Sequence, residues 1–316
     1  MSSGQAAVTA VGYKPLLLAA AGAAVSLLAL RRCRRQALES KAPAGRQKSK
    51  REAARQAAGL FEFEAEVPRV SVEVADDGTV SVASAVDTPS HTLVPLQLQT
   101  EEDDDLEGSI VWQVSILLAR LLLDDTKYPH KFFHPERTVL ELGCGCGLPG
   151  MAAALRGANV TFTDMAAVLP RLQRNIEANL KQLPERFPDA AAALPLAVQA
   201  AEKATAAQLD WLRLEEDLQA GLTPPYDVVL VADCVYQERL VQPLIDTILA
   251  VTGPKSVVLV TLRARFDFQA KFLADLNVWF SGMPLNLEER HLKGLVGVDD
   301  IYALRLKRRK TPLDRA

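Results

Sequence analysis

A short apolar run that passes directly into a glycine-rich loop constrains the fold more than any other feature of the chain. Residues 138–142, TVLEL, have the composition of a buried strand, and the loop GCGCG at residues 143–147 follows without a spacer. Glycines permit a tight turn and allow a ligand to approach the main chain closely. A helix that begins near Pro149 would point its free N–H groups at such a ligand. The sequence therefore predicts a strand–loop–helix unit with a ligand at the loop.

Strands and helices alternate from residue 138 to residue 280, which is typical of a parallel sheet covered by helices on both faces. Apolar runs predict strands at residues 138–142, 160–163, 196–199, 226–232 and 256–261. Helical periodicity predicts helices at residues 110–122, 151–156, 170–181, 237–250 and 266–280. Two more strands, at residues 285–291 and 301–306, would add an antiparallel edge. The predicted fold class is α/β, with a doubly wound, Rossmann-like sheet and an Ala- and Pro-rich insertion at residues 183–208.

Two aspartates directly follow predicted strands, at the edge where open α/β sheets bind ligands. Asp164 ends the second strand, and Asp233 follows the run YDVVLVA. A carboxylate at the position of Asp164 can accept both hydroxyls of a ribose, which implies a nucleoside-containing cofactor. Residues 145–150 also satisfy the dinucleotide pattern G-x-G-x-x-G, with Asp164 19 residues after Gly145. On spacing alone, a nicotinamide dinucleotide therefore remains open as the cofactor.

The residues around the loop decide between these cofactors by resemblance. The stretch ELGCGCG at residues 141–147 resembles motif I of the S-adenosylmethionine methyltransferases. SIVW at 109–112, LDW at 209–211 and ADCVY at 232–236 are similar to the lysine-methyltransferase-like family, also called the methyltransferase 16 domain family. The helix from Leu169 that carries Asn175 and Asn179 resembles the helix after motif I in that family. The resemblance covers residues 108–262 well and implies a seven-stranded methyltransferase sheet that binds S-adenosyl-L-methionine.

The resemblance also implies which residues hold the cofactor. Glu141 and the glycine loop would hold its methionine end, and Asp164 would accept the ribose hydroxyls. Trp112 would close over the cofactor, and Trp211 would pack near the adenine. The full set that the resemblance implies is Trp112, Glu141, Gly143, Gly145, Gly147, Asp164, Trp211 and Ala232.

Asp233 and Tyr236 are the predicted catalytic residues, because ADCVY matches the Asp-x-x-Tyr signature of the family. The carboxylate of Asp233 can orient an acceptor amine, and the hydroxyl of Tyr236, three residues later, can reach the same opening. A lysine acceptor has to be neutral to attack a methyl group. Asn175 and Asn179 lie four apart on one helix face and are predicted to hydrogen-bond within the fold.

No metal site is predicted from the cysteine and histidine spacing. Cys144 and Cys146 flank one glycine of the loop, and two ligands alone do not close a metal site. The four histidines form no cluster with the spacing of metal ligands.

The N-terminal segment contains an apolar run, LLLAAAGAAVSLLAL at residues 16–30, followed by an arginine cluster at residues 31–35. A membrane-spanning helix needs about 20 apolar residues, and the run reaches that length if it is counted from Ala6. We expect a single membrane anchor, with the arginines and the catalytic domain on the cytosolic side. Two alternatives remain open: a mitochondrial or chloroplast transit peptide, since no acidic residue precedes Glu39, and a cleaved secretory signal.

Charge and patterning divide the chain into three predicted segments. Residues 1–60 carry 11 Lys and Arg against 2 Asp and Glu, whereas the other 256 residues carry 25 against 37. The segments are an apolar anchor or targeting segment with a basic linker (1–58), a β-hairpin extension with an acidic loop (59–107), and the methyltransferase domain (108–310). The hairpin prediction rests on alternating stretches at 61–74 and 79–85 around Asp77-Gly78. A further strand is expected at 91–99.

The predicted function is methyl transfer from S-adenosylmethionine to a lysine side chain of a protein. The alternatives are methylation of a small molecule, methylation of a His or Arg side chain, a protein that binds the cofactor without catalysis, and a nicotinamide-dependent oxidoreductase. The fold alone does not fix the acceptor. The acidic body of the chain argues against a nucleic-acid partner, which would require a basic face. We expect a monomer with a protein substrate.

Overall fold

The computed structural model describes residues 59–74, 80–85, 91–100 and 107–312. The predicted anchor, the basic linker and most of the acidic run lie outside these residues. Within the described ranges, no helix combines the length and the apolar character that crossing a membrane requires.

The described residues form eleven strands and ten α-helices. The strands are β1 (Gly59–Pro68), β2 (Val70–Val74), β3 (Val80–Ala85), β4 (His91–Thr100), β5 (Thr138–Leu142), β6 (Asn159–Asp164), β7 (Thr205–Gln208), β8 (Tyr226–Ala232), β9 (Thr252–Arg263), β10 (Phe280–Pro284) and β11 (Ile301–Arg308). The helices are α1 (Gln113–Leu123), α2 (Leu148–Leu155), α3 (Leu169–Ile176), α4 (Leu183–Arg186), α5 (Pro188–Ala193), α6 (Pro195–Lys203), α7 (Leu214–Gln219), α8 (Val241–Val251), α9 (Asp267–Trp279) and α10 (Glu289–Leu292). A π-helical turn, Glu177–Lys181, continues α3.

Seven strands form one sheet in the order β10-β11-β9-β8-β5-β6-β7. The five from β5 to β9 are parallel, and β11 is antiparallel to both β9 and β10. The central strands β5 and β8 are mostly apolar, with Glu141 as a buried exception in β5, because helices cover both faces of the sheet. The predicted doubly wound sheet with an antiparallel edge is therefore confirmed. The strand order reverses direction at β5 and β8, so the carboxyl ends of these two strands define the ligand-binding crevice.

Two strand predictions were wrong. Residues 196–199 lie in α6, because Pro195 occupies its first position and the sequence PLAVQAAEK is rich in helix formers. The third parallel strand is β7, which follows that helix. Residues 285–291 are also not a strand; β10 begins directly after α9 and ends at Pro284. A proline is tolerated there because β10 is the edge strand of the sheet.

The N-terminal part forms two nested antiparallel pairs. The strands β2 and β3 pair antiparallel on either side of Asp77-Gly78, as predicted for a hairpin, and residues 75–79 lie outside the described range. The single predicted strand at 61–74 is instead two strands, β1 and β2, separated at Arg69. The strand β1 pairs along its whole length with β4. Alternate side chains of this pair, including Phe63 and Leu96, are buried in the same apolar core as α1 and α2.

Two asparagine side chains attach β4 to the α3 helix and its π-helical turn. Asn175 accepts a hydrogen bond from the main-chain N–H of Gln99 (2.7 Å) and donates to its carbonyl (3.3 Å). Asn179 makes the same pair with Gln97 (2.6 and 2.9 Å). Four helical residues rise about 6 Å, and two strand residues span about 6.7 Å, so the two spacings match. Hydrogen bonding within the fold, as predicted for both residues, is confirmed.

We expect Asn175→Leu to lower thermal stability, because it leaves the N–H and C=O of Gln99 without the side chain that pairs them. The Asn175 side chain also donates to the carbonyl of Cys146 in the glycine loop (3.2 Å) and is fully buried. A buried polar group without its partner costs about 1–3 kcal/mol, so Tm should fall by about 2–12 °C. Circular dichroism melting of the full-length protein measures this. The control is Gln173→Leu on the exposed face of α3; equal Tm values for the two variants would contradict the assignment.

Candidate active site

The glycine loop connects β5 to α2 through three residues in left-handed backbone conformation. Gly143, Gly145 and Gly147 have φ angles of 57°, 55° and 86°, which side chains other than glycine rarely adopt. The N–H of Cys144 donates to the carbonyl of Thr163 (3.0 Å), which attaches the loop to the end of β6. Gly147 directly precedes the first residue of α2. The predicted strand–loop–helix unit is therefore present.

Glu141 lies beneath this loop and is almost fully buried. Its Oε2 accepts a hydrogen bond from the N–H of Gly150 in the first turn of α2 (2.9 Å). A Cβ atom on Gly150 would lie 2.5 Å from the same oxygen, so only glycine permits this contact. Burial raises the pKa of Glu141 well above its usual range, and the charge of Asp164 adds to this, while the Gly150 N–H opposes it. The geometry thus gives Glu141 a role in holding the helix and loop together.

Asp164 stands at the end of β6, beside the glycine loop. Its Oδ2 accepts from the N–H of Gly145 (2.8 Å), and its Oδ1 accepts from the N–H of Met165 (2.7 Å). Burial raises the pKa of Asp164, although these two N–H groups and the nearby Arg171 oppose the shift. Further hydroxyl donors would stabilise the buried carboxylate, and each oxygen can accept more than one hydrogen bond. Asp164 is therefore well suited to bind a ribose.

Trp211 packs directly against the start of the glycine loop. A Cβ atom on Gly143 would lie 3.1 Å from the Trp211 ring and 3.1 Å from the Sγ atom of Cys234. The absence of a side chain at Gly143 thus lets the loop pass between the tryptophan and the residue that follows Asp233. Trp211 lies in the short 3-10 helix Trp211–Arg213, which Asp210 begins by accepting from the N–H of Leu212.

Asp233 directly follows β8, the strand that pairs with β5, and its backbone is strained. It has φ 58° and is the one non-glycine residue with positive φ in the described part of the chain. Such conformations cost about 1–3 kcal/mol and occur preferentially at functional sites. Its N–H donates to the carbonyl of Thr261 (2.9 Å) on the neighbouring β9 strand. The main chain therefore turns sharply at Asp233, and this turn sets the direction of its side chain.

The carboxylate of Asp233 forms an ion pair with a residue that the sequence analysis did not select. Arg265 donates from Nη2 to Oδ2 of Asp233 (2.7 Å), and its guanidinium carbon lies 5.6 Å from the centre of the Trp112 ring. Trp112 precedes the first residue of α1. The structure thus brings together Asp233 and Trp112 through Arg265. Arg265 lies just after β9, so the rule that selected Asp164 and Asp233, the carboxyl end of a parallel strand, could have found it.

Tyr236 and Ala232 lie on either side of Asp233 along the chain. Ala232 is the last residue of β8 and pairs with Thr261 of β9. Tyr236 is partly buried and packs against the apolar core formed between the sheet, α8 and α9. Arg171 is a second residue that the sequence analysis missed; its side chain donates to the carbonyl of Gly108 (2.7 Å) and its charge acts on Asp164.

The three described cysteines near the site are buried thiols. Burial raises the pKa of Cys144 and of Cys234 well above the usual range, and raises that of Cys146 to about 11. Since the thiolate is the nucleophile and the metal ligand, the raised pKa disfavours the reactive form of all three. Among the residues that the structure describes, no three His, Cys, Asp or Glu side chains are grouped as a metal site would need.

The strand order, the glycine loop and Asp164 define a doubly wound α/β protein with a site for a nucleoside cofactor. A family model described as lysine methyltransferase matches residues 92–279. Because the match covers more than half of the 316 residues, the chain belongs to this lysine methyltransferase family. It is an S-adenosylmethionine-dependent methyltransferase, and the nicotinamide alternative is thereby set aside.

Individual proteins similar to the chain carry names of the same class. The protein N-lysine methyltransferase METTL21A of Danio rerio is 31% identical over 183 residues, which are 58% of this chain and 73% of that protein. The protein-lysine methyltransferase METTL21E of Bos taurus is 27% identical over 179 residues, 56% of this chain and 54% of that protein. A solved structure, a TehB-like methyltransferase from Corynebacterium glutamicum, is 16% identical, with a TM-score of 0.38 over 61% of this chain and 88% of that one.

Proposed function

We propose that the protein transfers a methyl group from S-adenosylmethionine to the side-chain amine of a lysine in a protein substrate. The observation that carries the proposal is the strained turn at Asp233, which holds a buried carboxylate directly after β8, the strand beside the one that leads into the glycine loop. A carboxylate is a strong acceptor for the N–H groups of an amine. The names of the METTL21 relatives also support a lysine acceptor in a protein.

The residues of the crevice divide into a cofactor side and an acceptor side. On the cofactor side, Glu141 and the glycine loop with Gly143, Gly145 and Gly147 would hold the methionine end. Asp164 would accept the ribose hydroxyls, and Trp211 and Trp112 would enclose the rest. When bound, S-adenosylmethionine supplies a methyl group activated on a sulfonium sulfur.

On the acceptor side, Asp233 would orient the amine so that its lone pair points at the methyl group. Positioning of this kind accounts for much of the rate of a reaction between two bound groups. The hydroxyl of Tyr236 would contribute a further hydrogen bond at the same opening. Trp112 and the apolar surroundings would keep water away from the reacting atoms.

The acceptor class is tested by incubating the full-length protein with radiolabelled S-adenosylmethionine and a cell extract. Labelled proteins are isolated and hydrolysed, and the labelled amino acid is identified by chromatography. We expect methyl-lysine, and we expect the label to disappear with Asp233→Asn. Label recovered as methylhistidine, methylarginine or a small molecule would overturn the lysine assignment while leaving the cofactor assignment intact.

The N-terminal segment is proposed to anchor the protein in a membrane, with the catalytic domain in the cytosol. The run at residues 16–30 is free of charged residues, and the arginine cluster after it is expected to stay on the cytosolic side. The acting unit is proposed to be a monomer, which light scattering of the purified protein tests.

We expect a fluorescent reporter fused to residues 1–40 to remain with the membrane pellet after carbonate extraction, because an apolar helix is held in the bilayer core. The same fusion without residues 16–30 should be released. A soluble reporter that is found in an organelle lumen and lacks its N-terminus would instead support the transit-peptide alternative. Deletion of residues 1–35 should leave the rate of methyl transfer unchanged.

A further inference from the structure

Arg265 pairs with Asp233 but lies outside the family motifs SIVW, ELGCGCG, LDW and ADCVY. Its guanidinium contacts the Asp233 carboxylate at 2.7 Å, and the Arg265 side chain remains 30% exposed whereas that of Asp233 is 6% exposed. The other carboxylate oxygen, Oδ1, faces the N–H of Arg263 at 3.5 Å. Asp233 is therefore approached by a full positive charge on the side that opens toward solvent.

The main chain of Arg265 is held by a buried glutamine. Gln269 is 1% exposed, and its Oε1 accepts from the N–H groups of Arg265 (2.6 Å) and Phe266 (3.0 Å). Its Nε2 donates to the carbonyl of Val235 (2.8 Å), two residues after Asp233. A single buried side chain thus fixes Arg265 relative to the segment that carries Asp233. The Trp112 ring, 5.6 Å from the guanidinium carbon, limits the position of Arg265 from the α1 side.

A carboxylate without a compensating positive charge would hinder attack by an amine. An opposite charge within about 4–6 Å favours the charged form of a group, so an unpaired Asp233 would stabilise the ammonium form of the acceptor. The ammonium form has no lone pair with which to attack a methyl group. A positive charge at the same distance acts in the opposite direction and favours the neutral amine.

We infer that Arg265 is a positioning residue that offsets the charge of Asp233, so that the carboxylate can orient an acceptor amine without holding it protonated. This inference rests on the proposed transfer to lysine. Arg265 thereby sets the pH range over which the protein methylates its substrate.

Other titratable groups lie around the ion pair of Asp233 and Arg265. They are unchanged in variants at Arg265, so they affect the pH profiles of the wild type and the variants alike. Glu141 and Asp164 accept hydrogen bonds from Gly150 and Gly145 at the glycine loop, and Cys234 directly follows Asp233. The guanidinium of Arg263 is directed to the carbonyl of Val296. The groups on the elements that meet at the pair are Glu141, Asp164, Cys234, Tyr236, Arg263, Asp267 and Asp300.

The test compares pH profiles of the single-turnover rate for variants that keep or remove the charge. Arg265→Lys keeps it, whereas Arg265→Gln and Arg265→Met remove it. The control is Arg239→Gln, which removes an exposed arginine that contacts only Gln237 in the described hydrogen bonds. Rates are measured with a mapped lysine peptide at saturating cofactor between about pH 6 and about pH 10, toward the ordinary lysine pKa of about 10.4.

We expect the apparent pKa of the rising limb to increase by about one unit or more in Arg265→Gln and Arg265→Met. It should stay within about half a unit of the wild type in Arg265→Lys and Arg239→Gln, since both leave the charge at Asp233 in place. A variant that only loosens the fold would lose rate equally at every pH. Parallel profiles for all variants would therefore overturn the inference. If both neutral variants unfold, the profile of Arg265→Lys is the test, because a shifted profile for this charged variant would contradict a charge effect. If the wild type methylates no lysine, the proposed function fails instead.

Discussion

Asp233→Asn is expected to lower the turnover of methyl transfer by about 10²-fold or more, equivalent to about 2.7 kcal/mol of lost positioning. Asparagine tolerates the left-handed backbone that this position requires, whereas alanine adds strain to the loss of the carboxylate. The Asn variant therefore isolates the chemistry of the side chain. The affinity for S-adenosylhomocysteine should stay within a few-fold, because the Asp233 carboxylate contacts Arg265 and the N–H of Arg263, whereas Asp164 contacts the glycine loop.

The measurement pairs single-turnover rates with calorimetric Kd values for S-adenosylhomocysteine. Asp246→Asn on the exposed face of α8 is the matched control and should change neither quantity. Tyr236→Phe keeps the ring and should lose less, about 1–2 kcal/mol for one hydrogen bond. If Asp233→Asn folds, binds cofactor and reacts at the wild-type rate, Asp233 has a structural role only, and the lysine proposal loses its main support.

Asp164→Ala is expected to weaken S-adenosylhomocysteine binding by about 30- to 150-fold or more, from the loss of about 2–3 kcal/mol of charge-assisted hydrogen bonding. The structure adds a second reason for a large effect. The Asp164 carboxylate also accepts from the N–H of Gly145, so its removal releases the middle of the glycine loop. The effect on binding should therefore exceed that of any single ribose contact.

Asp164→Asn separates these two contributions. An amide keeps the size of the side chain, but its NH₂ group would face the N–H of either Gly145 or Met165, both of which need an acceptor. We expect binding to remain weak in this variant, with Asp246→Ala as the control that leaves Kd unchanged. An unaltered Kd in Asp164→Ala would show that the cofactor is bound without this carboxylate.

The sequence was sufficient to predict the central sheet because the strands β5 and β8 are largely apolar runs that are followed directly by the glycine loop and by Asp233. Prediction failed where the composition of a segment does not indicate the secondary structure that its position in the fold imposes. The residues of β7, TAAQ, carry no strand signal of their own and pair only because β6 presents an open edge. The strand β10 contains a glycine and a proline and is tolerated at the outer edge of the sheet.

Prediction of the candidate site from the sequence is limited in the same way. Asp164 and Asp233 could be predicted because each ends an obvious strand, and ligands bind at that edge of such sheets. The contacts of Arg265 could not, because they depend on Gln269 fixing its backbone and on α1 bringing Trp112 to the same place. The burial of Glu141 beneath α2 likewise follows from the close approach of Gly150, which its position in the sequence alone does not reveal.

Mass spectrometry of a substrate after reaction tests the central claim most directly. A protein that the radiolabelled extract identifies is incubated with S-adenosylmethionine and either the wild type or Asp233→Asn, and the modified residue is located by peptide fragmentation. The account predicts one or more methyl groups on a lysine side-chain nitrogen with the wild type and none above background with the variant. Methylation at a residue other than lysine, or equal methylation by both proteins, would contradict it.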